Sequence, residues 1–133
     1  MKKTLPLRQN YEFARVYQKG RFLSSRFVVL HYLKRQGKQM RLGITASRQI
    51  SGSVQRNRVK RLLRESYRLV EERVKPGYDL ILVGRNTRED PGLQGVMPDV
   101  MRLLRRAGIY RDQNQPADEP ATAQHVDSRS QKP

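Results

Sequence analysis

Basic side chains crowd one stretch of the chain: "QRNRVKRLLRESYR", residues 55–68, holds five arginines and one lysine against a single glutamate. Arginine at this density is chemistry for anions. Its planar guanidinium forks onto phosphate through two parallel hydrogen bonds and stacks on bases, which a lysine ammonium does not do. Side chains for covalent or acid–base catalysis are scarce by comparison. The sequence has no cysteine and two histidines, His31 on an expected strand and His125 near the end. No nucleophile–base pair, paired carboxylates or metal-ligand spacing can be picked out. The pattern points to binding of a polyanion, with no catalytic group in the chain itself.

The spacing says how the charge must be held. On a helix of about 100° per residue, Val59, Leu62, Leu63, Leu69 and Val70 share one arc, and Asn57, Lys60, Arg61, Arg64 and Arg68 share the opposite one. The first arc docks on a sheet; as read here it carries no aromatic residue, which argues against insertion into a membrane. The second presents cations with almost no acid between them. A merely solvated helix face mixes signs, because like charges at i, i+3 and i+4 repel. An anionic ligand turns that repulsion into attraction. Arg56 lies near the helix start, where the dipole already favours anions. Arg58 points to the flank, where it can brace the helix. A DNA-reading helix-turn-helix is disfavoured, since a strand and a loop precede this helix.

The elements around it follow from period and punctuation. "QNYEFARVYQKG" reads as a short amphipathic helix, capped by Asn10 and stopped by Gly20, with Phe13, Val16 and Tyr17 on one face. "RFVVLHYLK" reads as a strand, "QGKQ" as a turn, and "MRLGITAS" as a half-buried strand hairpinned to the previous one. Ser51 or Ser53 caps the basic helix, expected over residues 54–74 and ended by Pro76 and Gly77. "YDLILVGR" is apolar enough to be buried on both faces. A last helix includes "PDVMRLLRRAG", with Pro98 in its first turn and Gly108 at its end; its start is left open between there and Asp90 and Pro91. Helix, strands, helix, strand, helix makes a two-layer α+β domain, a small mixed sheet with helices packed on it.

Composition sets the limits of this reading. The 133 residues carry a formal net charge of +16. Residues 112–133 hold four acidic and two basic side chains, so the remainder carries +18. We therefore expect a basic RNA-binding domain over residues 1–110 and a disordered polar tail over 111–133. No apolar run approaches the ~18 residues of a membrane span. The expected setting is cytoplasmic, with no membrane partner.

The stretch "ISGSVQRNRVKRLLRE" resembles the signature of the protein subunit of bacterial ribonuclease P, an Arg-Asn-Arg helix continued by an apolar residue and Lys-Arg. Arg56, Asn57, Arg58, Val59, Lys60, Arg61 and Arg64 match position by position. "EFARVYQKGR", "RLGITASR" and "YDLILVGR" resemble its first helix, the strand before its Ser-Lys-Lys loop, and its later buried strand. The likeness runs from about Leu7 to Gly108. Ser47, Arg48 and Gln49 stand where the family has Ser-Lys-Lys, Ser51 replaces the usual glycine, and Ser53 the usual alanine.

The resemblance implies a ribonucleoprotein whose RNA, aided by magnesium, removes the 5′ leader of precursor tRNA. The protein would be monomeric in the complex, bind the catalytic RNA and the leader, and hold no metal site of its own. It also implies a left-handed crossover between parallel strands. Carried over residue by residue, RNA binding falls to Arg48, Arg56, Asn57, Arg58, Lys60, Arg61, Arg64 and Arg68. A leader-binding cleft falls to Phe13, Tyr17 and His31, where stacked bases would lie on aromatic rings. Charge and fold class alone also fit a non-enzymatic ribosomal or ribosome-assembly protein.

Overall fold

In a computed structural model, residues 4–111 are described. The elements are β1 (Thr4–Pro6), α1 (Asn10–Lys19), β2 (Arg21–Ser24), β3 (Val28–Lys34), β4 (Met40–Ala46), α2 (Ser53–Val70), β5 (Tyr78–Gly84) and α3 (Gly92–Arg106). A single 3-10 turn, Glu71–Arg73, follows α2. The five strands form one mixed sheet in the order β1-β4-β5-β3-β2. The α+β sandwich is as expected. The tail assignment, with His125, lies outside the described residues from position 112 onward.

One pairing differs from the expectation. β3 and β4 are joined by a turn, in which Gly37 sits at φ +88°, yet they are not neighbours. β5 lies between them, antiparallel to β3 and parallel to β4. The reason is in its composition: a strand apolar on both faces loses most if left at an edge, so it takes the centre. On its other edge β3 pairs with β2, also antiparallel, with Phe22 opposite His31. β4 and β5, adjacent and parallel, are connected through α2, which makes α2 the body of a crossover.

Period-2 alternation then divides the sheet into two faces. Leu30, Leu42, Leu80 and Leu82 point to α2 and α3 and join the main core, where Leu63 and Tyr67 of α2 and Val100, Leu103 and Leu104 of α3 are fully buried. Each such leucine is worth roughly 1.5–3 kcal/mol of burial. Ile81, Leu33 and Val83 point the other way and pack with Val16 of α1 and Leu7. Gly84 lies directly under α2; a Cβ there would come within 2.0 Å of Val59 Cγ1, so the helix seats on bare backbone.

The caps and one helix face also differ from the sequence reading. The cap of α1 is Gln9, and Asn10 is the first helical residue: Glu12 Oε1 accepts hydrogen bonds from the backbone N–H groups of Arg8 and Gln9, at 2.8 and 2.9 Å. At α2 the cap position is Gly52, at φ +83°, a conformation that favours glycine; Ser51 precedes it and Ser53 is already the first helical residue, so neither is the cap. α3 begins at Gly92, which leaves Pro98 in its middle, on the exposed side. Leu69, assigned to the docking arc, is 47 % exposed, while Tyr67 is fully buried in its place. The Tyr67 hydroxyl meets Thr4 Oγ1 at 3.0 Å and so pins the edge strand β1.

Candidate nucleic-acid interface

The first half of α2 carries charge outward because its apolar residues have nowhere else to go. Leu63, Ser66, Tyr67 and Val70 are buried, which turns Asn57, Arg61, Arg64 and Arg68 to solvent with Lys60 half-exposed at their border. No acidic residue stands in the first turn, so the positive end of the helix dipole is left uncompensated.

Hydrogen bonding separates these cations into two groups. Lys60, Arg61 and Arg64 make no ion pair among the described residues, and neither does Arg48 in the preceding loop. The others are engaged. Arg56 donates to the Ile50 carbonyl at 2.9 Å and holds the loop that leads into the helix. Arg58 pairs with Asp90 at 2.6 Å, across to the segment before α3. Arg68 pairs with Glu65 through two hydrogen bonds, at 2.6 and 3.1 Å. That contact lowers the Glu65 carboxyl pKa and raises that of Arg68.

The opposite sheet face holds the aromatic residues. The Phe13 ring lies on Gly43, whose absent Cβ would approach it to 2.5 Å. Phe13 thus packs partly into the core on this face. Tyr17 meets His31 edge-on at 4.7 Å between ring centroids, and Phe22 lies tilted against the other side of His31 at 5.6 Å. Tyr17 is 45 % and Phe22 39 % exposed. Burial lowers the His31 pKa, so the imidazole stays neutral near pH 7. It also raises the pKa of Tyr17. Of the three residues assigned to the cleft, Tyr17 and His31 are in contact, and Phe13 lies on the same sheet face over Gly43, two strands away from His31. Phe22 belongs with them; the period-2 alternation that would have revealed it is confined to a four-residue strand. Half-buried Val29, Val83 and Thr45 continue the floor beyond the rings.

A buried ion cluster fixes this arrangement. Asp79, fully buried, accepts two parallel hydrogen bonds from Arg41, at 2.9 and 2.8 Å. Arg35 and Arg15 approach it at 3.5 and 3.7 Å. Arg41 also pairs with Glu12 of α1. Its hydrogen bonds to Asp79 raise the Arg41 pKa, and the Arg8 and Gln9 amides lower that of Glu12. Asp79 interrupts an otherwise apolar run, which is the sequence signal for this cluster. Among the described residues no group of three or more His, Asp or Glu could hold a metal ion, and no helix is long and apolar enough to cross a membrane.

Comparison with known proteins gives a consistent pattern. The model of the family described as Ribonuclease P matches residues 1–108. A ribonuclease P protein component of Clostridium botulinum is 43 % identical over 105 residues, 78 % of this chain and 95 % of the relative. One from Clostridium novyi is 42 % identical over 112 residues, 83 % of this chain and 99 % of the relative. Among solved structures, the RNase P protein from Thermotoga maritima superposes with a TM-score of 0.67 at 26 % identity, covering 76 % of this chain and 96 % of that one. The Staphylococcus aureus RNase P protein has the same fold, with a TM-score of 0.71 at 24 % identity over 80 % of this chain and 97 % of that one.

Proposed function

The chain belongs to the ribonuclease P protein family, and from that premise we propose how it serves as the protein subunit of the holoenzyme that matures the 5′ end of tRNA. Its partner is the ribonuclease P RNA. Lys60, Arg61, Arg64 and Asn57, with Arg48 in the loop, bind that RNA through its phosphates. Arg56 and Arg58 hold the loop and the helix flank in place for them. Phe13, Tyr17, His31 and Phe22 receive the single-stranded 5′ leader of precursor tRNA, with the exposed Tyr17 and Phe22 offering ring surface to its bases. Phosphodiester hydrolysis, with magnesium, belongs to the RNA. The compartment this implies is the cytoplasm.

The observation that carries the leader assignment is the open row Tyr17–His31–Phe22. Aromatic rings contribute most to stability when buried, yet these stay on the surface beside a floor of small and β-branched residues. A cleavage assay with the ribonuclease P RNA at limiting magnesium tests the reading. The protein should stimulate cleavage of a substrate with a full leader more than of one with its leader cut to a single nucleotide. Tight RNA binding without stimulation would instead fit an RNA-binding assembly protein.

A further inference from the structure

A groove of about 360 Å³ opens between the first half of α2 and residues 85–91, the segment from β5 to α3. It lies on the α2 side of the sheet, the face opposite to the aromatic row. We propose that this groove is a second nucleotide subsite, which takes one unstacked base of a bound RNA strand and its phosphate. The inference rests on the RNA-subunit reading above and adds to it a place no residue so far assigned accounts for.

The floor is apolar. Phe27, Val59 and Leu62 line it, each only partly buried. Its depth comes from the sheet, because Val59 rests on Gly84 with no side chain beneath it. The rim is polar: Gln55 on the helix, and Asn86 and Thr87 on the segment. Amide side chains carry both donors and acceptors, which suits the edge of a base. A volume in this range is that of a small-ligand site.

Charge favours an anion here despite two acids in the wall. Glu89 is paired with Arg26, and Asp90 with Arg58. Both carboxylates are thus neutralised by arginines of other elements. Arg85 uses one nitrogen to donate to the Ser25 carbonyl at 2.7 Å and is otherwise exposed. Arg88 is exposed and makes no ion pair among the described residues. The segment is held in shape by Thr87 Oγ1 donating to the Glu89 carbonyl at 2.8 Å. Arg88 therefore stands as an uncompensated cation on a fixed rim, across the groove from the first half of α2. The groove also lies beyond the carboxyl ends of the parallel strands β4 and β5, where open sheets commonly bind ligands.

The test uses the full chain with labelled methyl groups, titrated with uridine 5′-monophosphate and with adenosine 5′-monophosphate. The methyl signals of Val59 and Leu62 should shift saturably. Arg88→Ala, at an exposed position with no ion pair among the described residues, should weaken that binding at least about threefold and flatten the salt dependence of RNA binding by about one phosphate contact. Signals of Val29 and Val83 report the aromatic cleft independently. Shifts at Val29 and Val83 alone, or equal affinity in the Arg88→Ala protein, would overturn the subsite. Stimulation of cleavage by the unmodified protein, measured alongside, separates this result from failure of the family function: a chain that stimulates normally but shows no groove response refutes the subsite only. A chain that does not stimulate refutes the reading beneath it.

Discussion

The division of the α2 cations into unpaired and paired makes a quantitative claim about salt. Arg61 and Arg64 are exposed and have no ion pair among the described residues, whereas Arg68 already shares its guanidinium with Glu65. Each phosphate contact to RNA releases counterions and steepens the plot of log affinity against log salt by about 0.7–0.9. Replacing both arginines, Arg61→Ala with Arg64→Ala, should therefore flatten that slope by about 1.4–1.8. Between about 50 and 200 mM salt the unmodified protein should lose roughly tenfold more affinity than the double variant. Arg68→Ala should change the slope by less than either single variant, since its charge is partly cancelled in the free protein. Glu65→Gln should do the reverse and steepen it. Fluorescence anisotropy of labelled ribonuclease P RNA across a salt series measures all four. Equal slopes for the double variant and the unmodified protein would refute the phosphate assignment. An Arg68→Ala effect as large as Arg61→Ala would refute the argument from pairing.

Three further outcomes follow from the packing. Asp79→Ala removes the buried carboxylate of the cluster, leaves the part-buried Arg41 with Glu12 alone and should cost about 3–5 kcal/mol; a urea transition would show it as a lower midpoint at similar slope. Gly43→Val puts side-chain atoms where the Phe13 ring lies, 2.5 Å from an added Cβ; the leader-dependent part of stimulation should fall, and binding of leaderless RNA should hold. Burial pushes the Tyr67 pKa up to about 12, against about 10 in an unfolded chain. The folded state therefore keeps its proton longer, and stability is full below pH 10 and declines by about 2–3 kcal/mol as pH rises toward 12. The unfolding free energy of Tyr67→Phe, compared with the unmodified protein from pH 9 to 12, should lack that increment.

How much of this could be read from the sequence depended on how local its cause was. The two faces of α2 were legible because helical period and charge repeat within a few residues. Its outer face was legible as a set, but the partners of Arg56 and Arg58 were not, since Ile50 and Asp90 come close only through the loop and the fold. β5 was legible as a doubly buried strand, while its place between β3 and β4 was not. A turn at Gly37 says that two strands reverse direction; it does not say that they pair. β1 and β2, of three and four residues, are too short for alternation to stand out. Their existence rests on partners, Tyr67 for β1 and the His31 strand for β2. Phe22 was lost with β2. Asp79 is the instructive case, because an acid inside an apolar run is a conflict that local rules expose and only a distant arginine resolves.

That conflict explains why α1 can present rings at all. Val16 is the buried centre of the helix. On one side of it Glu12 and Arg15 reach the Arg41–Asp79 cluster; on the other Phe13 and Tyr17 reach Gly43 and His31. The sheet register puts Asp79 opposite Arg41 and Leu33, and Ile81 opposite Gly43 and His31, one pleat further along. α1 is thus clamped by ions along one edge and bears aromatic residues along the other. An apolar clamp would hold the helix as tightly, but it would be free to slide along the pleats at little cost. A buried bidentate pair has one acceptable register, and a shift of one pleat would strand a charge. The clamp therefore sets where the rings stand over the sheet. The unpaired cations of α2 and the rings beside α1 stand on opposite faces of the same sheet, so the strands that hold one set fix its offset from the other.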